Sequence, residues 1–177
     1  MTPAEDLAKM EHLVALIARF EKHIEADSPM SEVVPTVYGR NAEYYKGYTI
    51  RQLCQEMHDF YKDRQVSTLQ ERLFLHDYLP EYVLNPQDAN FEFQRGKGEL
   101  VPLDEAEGRI ALEGALPYPP GVLCVQPGER WSKTACDYFL ALQEGINKLP
   151  GFAPEIQGVY ITLQSDGTKK AYGYVLK

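Results

Sequence analysis

The stretch 116–129 constrains the fold of this chain more than any other, because it contains four prolines in fourteen residues. Each proline fixes its own φ and disfavours helical geometry in the residue before it. Helix is therefore excluded over 116–120, and a rigid extended crossing that holds Tyr118 in place is predicted there. The residues after it predict a change of direction, a short buried strand and a closing turn, at Gly121, 122–125 and Pro127-Gly128.

Composition excludes several classes of protein. The 177 residues suffice for one domain with its own core. A net charge of -8 argues against general nucleic-acid binding, which needs a basic surface. No apolar run approaches the roughly 20 residues needed to span a bilayer. Three cysteines at unrelated spacings (Cys54, Cys124, Cys136) form no disulfide framework, so we expect a reducing cytoplasm.

The N-terminal residues predict an amphipathic helix. Thr2 suits the N-cap, Pro3 the first turn, and Glu5 can complete a capping box. Apolar residues then recur at helical spacing, and the helix is expected to end near Asp27, before Pro29. Its apolar face could pack on this domain or on a neighbour.

The remaining pattern predicts a single α+β domain with helices first, strands in the middle, and a final helix and hairpin. Residues 29–47 form a tyrosine-rich, ordered connector. Helices are predicted to open at Thr49, Ser67, Asn85 and Ser132. Strands are predicted at 82–84, 100–103, 109–113, 122–125, 158–162 and 171–175, with 100–103 at a sheet edge because of Pro102 and a turn at 165–167.

Cys54 and His58 are the one candidate for nucleophilic catalysis. They stand four residues apart and share a helix face, as a thiol and its base would. No third group that could orient the histidine is evident, and apolar neighbours favour an ordinary half-buried helix. Packing is therefore the preferred interpretation, with a small hydrolase as a competing hypothesis.

The sequence gives little support for a metal site or a phosphate site. The four histidines, His12, His23, His58 and His76, form no pair with metal-ligand spacing. Arg95-Gly96-Lys97-Gly98 is basic and rich in glycine, but it lacks the helix start and the hydroxyl residue of a P-loop. A mobile surface hairpin is predicted there instead.

Several ordered motifs carry a resemblance to a known family. Leu-Pro-Tyr-Pro-Pro-Gly-Val at 116–122 is followed by Pro-Gly-Glu at 127–129. Further motifs are Asn-Pro-Gln-Asp-Ala-Asn at 85–90, Glu-Gly-Arg-Ile at 107–110, Leu-Pro-Gly-Phe at 149–152 and Tyr-Gly-Tyr-Val-Leu-Lys at 172–177. Nearly the whole chain resembles the C-terminal domain of bacterial pyridoxal-phosphate-dependent ornithine/lysine/arginine decarboxylases, and is most similar to the ornithine branch.

The resemblance implies a helical outer layer over small inner β-sheets. It implies that residues 1–28 are a linker helix from a larger cofactor domain and that 29–177 are the C-terminal domain. The parent chain would add a wing domain and would convert L-ornithine to putrescine and CO2 in the cytoplasm, for polyamine biosynthesis or acid response. It would act as a homodimer, possibly a decamer.

The resemblance also places the cofactor lysine upstream of this chain. Candidate lysines here (Lys97, Lys133, Lys148, Lys169 and Lys170) lie in polar settings without the family's preceding His or Ser. We therefore expect no catalytic, cofactor-binding or metal-binding residue in this chain, and no activity from it alone. Tyr118 would line the substrate channel, although a buried structural tyrosine is the alternative, and Glu129 would cap a turn or a helix.

One departure concerns regulation. The lysine-specific branch uses an arginine and an asparagine to bind a guanosine tetraphosphate alarmone, and the matching positions here are Pro29 and Glu32. Neither can replace a cationic phosphate ligand. Alarmone inhibition is therefore not expected. A stand-alone binding or assembly module that starts at Met1 remains the alternative to a decarboxylase domain.

Overall fold

A computed structural model describes residues 6–118 and 121–177. The chain has the predicted α+β class, with helices and small antiparallel sheets. Its contacts group into two compact units, Met1–Asp59 and Phe60–Lys177. Each unit is described by itself, and the predicted division between residues 28 and 29 remains a prediction.

The helices and strands follow one another in the order that the α+β class suggests. The helices are α1 Leu7–Glu25, α2 Met30–Val33, α3 Pro35–Arg40, α4 Ile50–Asp63, α5 Val66–Arg72, α6 Pro86–Gln94 and α7 Lys133–Lys148. The strands are β1 Gly98–Pro102, β2 Leu116–Tyr118, β3 Glu155–Gln157, β4 Tyr160–Leu163 and β5 Lys169–Leu176. Short 3-10 turns lie at His76–Tyr78 and Leu103–Glu105.

Helix α1 begins at Leu7, because Asp6 is its N-cap and accepts a hydrogen bond from the Lys9 N–H at 2.9 Å. The predicted Thr2 cap lies outside the described residues. At the other end, Asp27 adopts φ 50° and the Ser28 N–H donates to the His23 carbonyl at 3.0 Å. This geometry ends the helix without a glycine.

Helix α1 keeps its apolar face in solvent. No residue of this helix, all of which is described, is buried. Leu7 is 74% exposed and Val14 65% exposed, and the same stripe continues with Leu13, Ile17 and Phe20. An apolar stripe of this kind is normally covered by another element. Packing of this face on a neighbour remains a prediction.

The connector 29–47 is ordered, as predicted, and contains α2 and α3. Tyr45 is fully buried, with its ring edge-on to Tyr44 at 4.9 Å and to Tyr48 at 5.3 Å between centroids. Burial raises the pKa of Tyr45 to about 12. The predicted Thr49 cap is confirmed, because its hydroxyl accepts from the Gln52 N–H at 3.2 Å.

The second unit is built around β5. This strand lies between β1 and β4 in an antiparallel sheet, so β1 is at the edge that Pro102 predicts. The predicted Ser132 cap is confirmed by a hydrogen bond from the Ala135 N–H at 3.2 Å. The helix that follows, α7, buries the predicted stripe, including Phe139 at 0% exposure.

Four local predictions were wrong. Helix α5 begins at Val66 after Gln65, which has φ 52°, and Ser67 is not its cap. The segments 82–84 and 109–113 make only isolated bridges, Tyr82 with Glu129, Ile110 with Arg130 and Ala111 with Val175. Residues 95–98 are no hairpin: Gly96 has φ 74°, and the Lys97 N–H donates to the Glu92 carbonyl, so this is the C-cap of α6 leading into β1.

Replacing Phe139 by Ala should destabilise the second unit. The ring packs edge-on against Trp131 and Tyr138, and its loss leaves a cavity. We expect the free energy of unfolding to fall by about 3–5 kcal/mol in urea denaturation. Leu163→Ala is the control, because Leu163 is 71% exposed, and should change it by less than about 0.5 kcal/mol. Equal effects would contradict this placement of the core.

Candidate functional site at the proline-rich segment

The proline-rich crossing is itself a strand. β2 pairs antiparallel with β3, with Pro117 opposite Ile156 and Tyr118 opposite Glu155. The predicted extended geometry is therefore confirmed for 116–118, and residues 119–120 lie outside the described residues. The predicted buried strand at 122–125 is wrong, because Val122 and Leu123 are exposed and only Val125 bridges Ala115.

The segment 115–125, here called the proline loop, is closed at its base by backbone hydrogen bonds. The Ala115 N–H donates to the Val125 carbonyl, and the Cys124 N–H donates to the Ala115 carbonyl, both at 2.9 Å. Ala115 and Val125 are both fully buried. The two ends of the proline loop are therefore held together within the core.

Tyr118 lies on the exposed surface of the proline loop. Tyr118 is 52% exposed within this chain, and the choice between a channel residue and a structural tyrosine that holds the turn remains a prediction. The ring lies close to Gly121: a Cβ built there would be 2.9 Å from the ring Cδ2. The Gly121 N–H also donates to the Pro117 carbonyl at 3.0 Å. Tyr118 therefore lies in a hydrogen-bonded turn, with its ring against Gly121.

A close backbone approach fixes the proline loop to the rest of the unit. Gly158 has φ 72°, and a Cβ there would be 1.9 Å from the Gly114 carbonyl oxygen. Next to this contact, the Tyr160 hydroxyl donates to Glu113 Oε2 at 2.7 Å. That hydrogen bond, with burial, raises the pKa of Tyr160 to about 12. Glu113 and Tyr160 are therefore positioning residues for the proline loop.

Glu129 caps the turn that follows the proline loop, as predicted. Its Oε2 accepts from the Gln126 N–H at 2.8 Å. Gly128 beside it has φ 92°, and its carbonyl accepts from the Val83 and Leu84 N–H groups at 3.1 and 3.0 Å. The Pro-Gly-Glu motif therefore joins the chain after the loop to residues 83–84.

The other candidate residues for nucleophilic catalysis belong to the first unit. Cys54 is half-buried in α4 and His58 is exposed. Within the described residues, no cluster of three or more His, Cys, Asp or Glu side chains could hold a metal ion. None of the described helices combines the length and apolar composition that crossing a membrane requires.

The described lysines lie in accessible, polar surroundings. Every lysine within 6–118 and 121–177 is exposed or half-buried. Three of them pair with carboxylates: Lys97 with Glu92, Lys133 with Asp137, and Lys170 with Asp104. A cofactor lysine needs a pocket with partners for the ring and the phosphate. The placement of the cofactor lysine outside this chain remains a prediction.

Sequence reasoning missed β3 and the pair of Glu113 with Tyr160. β3 has three residues, too few to show alternation, and its partner strand lies 39 residues earlier. Pro154 before it was the available signal, since a proline favours extended structure around it. The Glu113–Tyr160 pair spans 47 residues and has no local signature.

Gly158→Ala should loosen the anchor of the proline loop. The new Cβ would collide with the Gly114 carbonyl, which is backbone and cannot move aside. Gly167→Ala is a matched control, since Gly167 has φ 85° but open space around it, and should cost about 1–2 kcal/mol of unfolding free energy. In thermal or urea denaturation, Gly158→Ala should lower the unfolding free energy by about 1–3 kcal/mol more than the control does. Equal losses would show that the close approach is unimportant.

Known proteins share both the sequence and the fold of this chain. The family model described as Orn/Lys/Arg decarboxylase, C-terminal domain, matches residues 67–177. The ornithine decarboxylase of Haemophilus influenzae is 66% identical over 99% of this chain, and the inducible ornithine decarboxylase of Escherichia coli is 58% identical over 100%. Each match covers 24% of the relative. A more distant relative, the lysine decarboxylase LdcA of Pseudomonas aeruginosa, is 31% identical over 85% of this chain and 20% of its own length.

Solved structures agree with these matches. Lysine decarboxylase A from Pseudomonas aeruginosa aligns with a TM-score of 0.88 at 29% identity, over 98% of this chain and 23% of that one. The constitutive lysine decarboxylase of Escherichia coli aligns with a TM-score of 0.83 at 28% identity, over 98% and 24%. The chain spans about a quarter of the length of the curated relatives that it matches. By sequence and fold together, it belongs to the family of Orn/Lys/Arg decarboxylase C-terminal domains.

Proposed function

We propose that this chain is the C-terminal domain of an ornithine decarboxylase that forms putrescine and CO2 from L-ornithine. The observation that carries the proposal is the difference in identity between two groups of relatives. Four ornithine decarboxylases are 55–66% identical to the chain, whereas four lysine decarboxylases are 29–32% identical. The substrate assignment thus follows the more similar group.

The chemistry of the proposed reaction belongs to the rest of the longer protein. The lysines described above lie in accessible, polar surroundings, and the matched relatives are about four times as long as this chain. We therefore place the pyridoxal phosphate and its lysine outside these residues. The chain alone is expected to be inactive, and the complete enzyme is expected in the cytoplasm.

The proposed task of this domain is to position residues of the substrate channel, and it takes no part in the chemical step. The anchored base of the proline loop presents Tyr118 to the wall of the substrate channel. The exposed apolar face of α1 docks against the cofactor domain, which fits the assignment of residues 1–28 as a linker helix. The wing and cofactor domains of the same chain are its first partners, and the complete protein forms a homodimer, possibly a decamer.

Tyr118→Ala in the full-length decarboxylase tests the channel assignment. Loss of one aromatic contact worth about 0.5–1.5 kcal/mol should lower kcat/KM for ornithine about 3–10-fold. Tyr118→Phe keeps the ring and should retain most of this value. Tyr82→Ala is the matched control, because Tyr82 is 63% exposed in the same unit but lies outside the proline loop.

Steady-state kinetics at saturating cofactor decide the outcome. An unchanged kcat/KM in Tyr118→Ala, or an equal loss in Tyr82→Ala, would contradict the channel assignment. A lysine preference in the unaltered full-length enzyme would contradict the proposed substrate.

A further inference from the structure

A cavity of about 560 Å³ lies where the C-terminal ends of α4 and α7 come together in the second unit. None of its lining residues belongs to the proline loop, and nothing in the proposed function uses it. Its volume falls within the range of small-molecule sites. The lining residues are Phe60, Asp63, Arg64, Glu144, Asn147 and Lys148, and they are here called the α4–α7 pocket.

The floor of the α4–α7 pocket is aromatic. Phe60 is 5% exposed, and the Lys148 Nζ lies 5.4 Å from the centroid of its ring. Gly145 permits this arrangement, because a Cβ there would be 3.1 Å from the Phe60 Cε1. An aromatic face that already accommodates one ammonium group suits aliphatic ammonium ligands.

The walls of the pocket are fixed by hydrogen bonds. The Asn147 side chain donates to the Lys169 carbonyl at 2.8 Å and accepts from the Lys169 N–H at 2.7 Å, which ties α7 to β5. Gln65, which follows the lining residue Arg64 in the chain, has φ 52°, and its N–H donates to the Lys62 carbonyl at 2.9 Å. A non-glycine residue held in this conformation is strained, and such strain is frequent beside ligand sites.

The pocket presents both signs of charge. Arg64 pairs with Glu144 at 2.7 Å, while Asp63 and Lys148 supply a second anion and a second cation. Two helix C-termini converge here, and each adds a partial negative charge. The surroundings therefore favour ammonium groups, while the guanidinium of Arg64 can also bind a carboxylate.

We propose that the α4–α7 pocket binds a free α-amino acid whose side chain ends in an ammonium group. Its carboxylate would contact Arg64, and its two ammonium groups would lie near Asp63 and the helix ends. A diamine lacks the carboxylate, and an acidic amino acid would bring a second anion to the helix C-termini. The net charge of -8 also favours a cationic ligand. The site is independent of the activity proposed above.

NMR titration of the 15N-labelled 177-residue chain with L-ornithine tests this site. The amide signals of Asp63, Arg64, Asn147 and Lys148 should shift and saturate. The Arg64 and Glu144 side chains are 52% and 42% exposed, so we expect weak binding, with a Kd of about 1 mM.

Two matched pairs of variants separate the pocket from overall charge. Arg64→Gln and Asp63→Asn should each weaken ornithine binding about 10-fold, by loss of a charged hydrogen bond. Lys170→Gln and Asp104→Asn make equivalent charge changes in an exposed ion pair of 3.1 Å outside the pocket, and should leave the Kd unchanged. Circular dichroism verifies that each variant is folded.

Ligand controls complete the experiment. Putrescine and L-glutamate, at matched ionic strength, should each bind about 10-fold more weakly than ornithine if carboxylate and ammonium contacts both contribute. Absence of saturating shifts would overturn the proposal, as would equal effects of pocket and control variants. Binding of putrescine as tight as that of ornithine would also overturn it, and would indicate a diamine site.

Discussion

The extended backbone that Pro117 imposes is the constraint on which the candidate site depends. Proline has no N–H group, so β2 can contribute only part of a ladder and pairs with the short strand β3 alone. The hydrogen bonds between Ala115 and the Cys124–Val125 backbone then close the loop. Because both ends of the loop are anchored in the core, the backbone of Tyr118 is held in place while its side chain remains half exposed.

Features with a local cause could be predicted from the sequence. The caps at Thr49, Asn85 and Ser132 and the turn at Asp166 each depend on residues at most three positions away. The features that were predicted wrongly depend instead on residues far apart in the sequence. Bridges made by Tyr82 and Ala111 join segments far apart in sequence, and no local pattern distinguishes an extended residue that pairs from one that does not.

The candidate site was predictable in part. Prolines and Gly121 indicated a rigid loop around Tyr118, but the exposure of that ring depends on which strand pairs with β2. The anchors at Gly158 and Tyr160 became visible only in three dimensions, because a glycine required by a neighbouring carbonyl looks like any other glycine in the sequence. The resemblance supplied the family, whereas the structure supplied the arrangement that makes the motif rigid.

Two sets of exposed apolar side chains, the stripe of α1 and Tyr118, Val122 and Leu123 of the proline loop, are proposed to contact the other domains of the longer protein. Hydrogen–deuterium exchange, comparing the isolated 177 residues with the full-length decarboxylase, tests this directly. We expect the backbone amides of α1 and of 116–123 to exchange about 10-fold more slowly in the full-length enzyme. The amides of α7 should exchange at the same rate in both proteins and are the internal control. Equal exchange rates in both proteins would contradict the claim that other domains cover these surfaces.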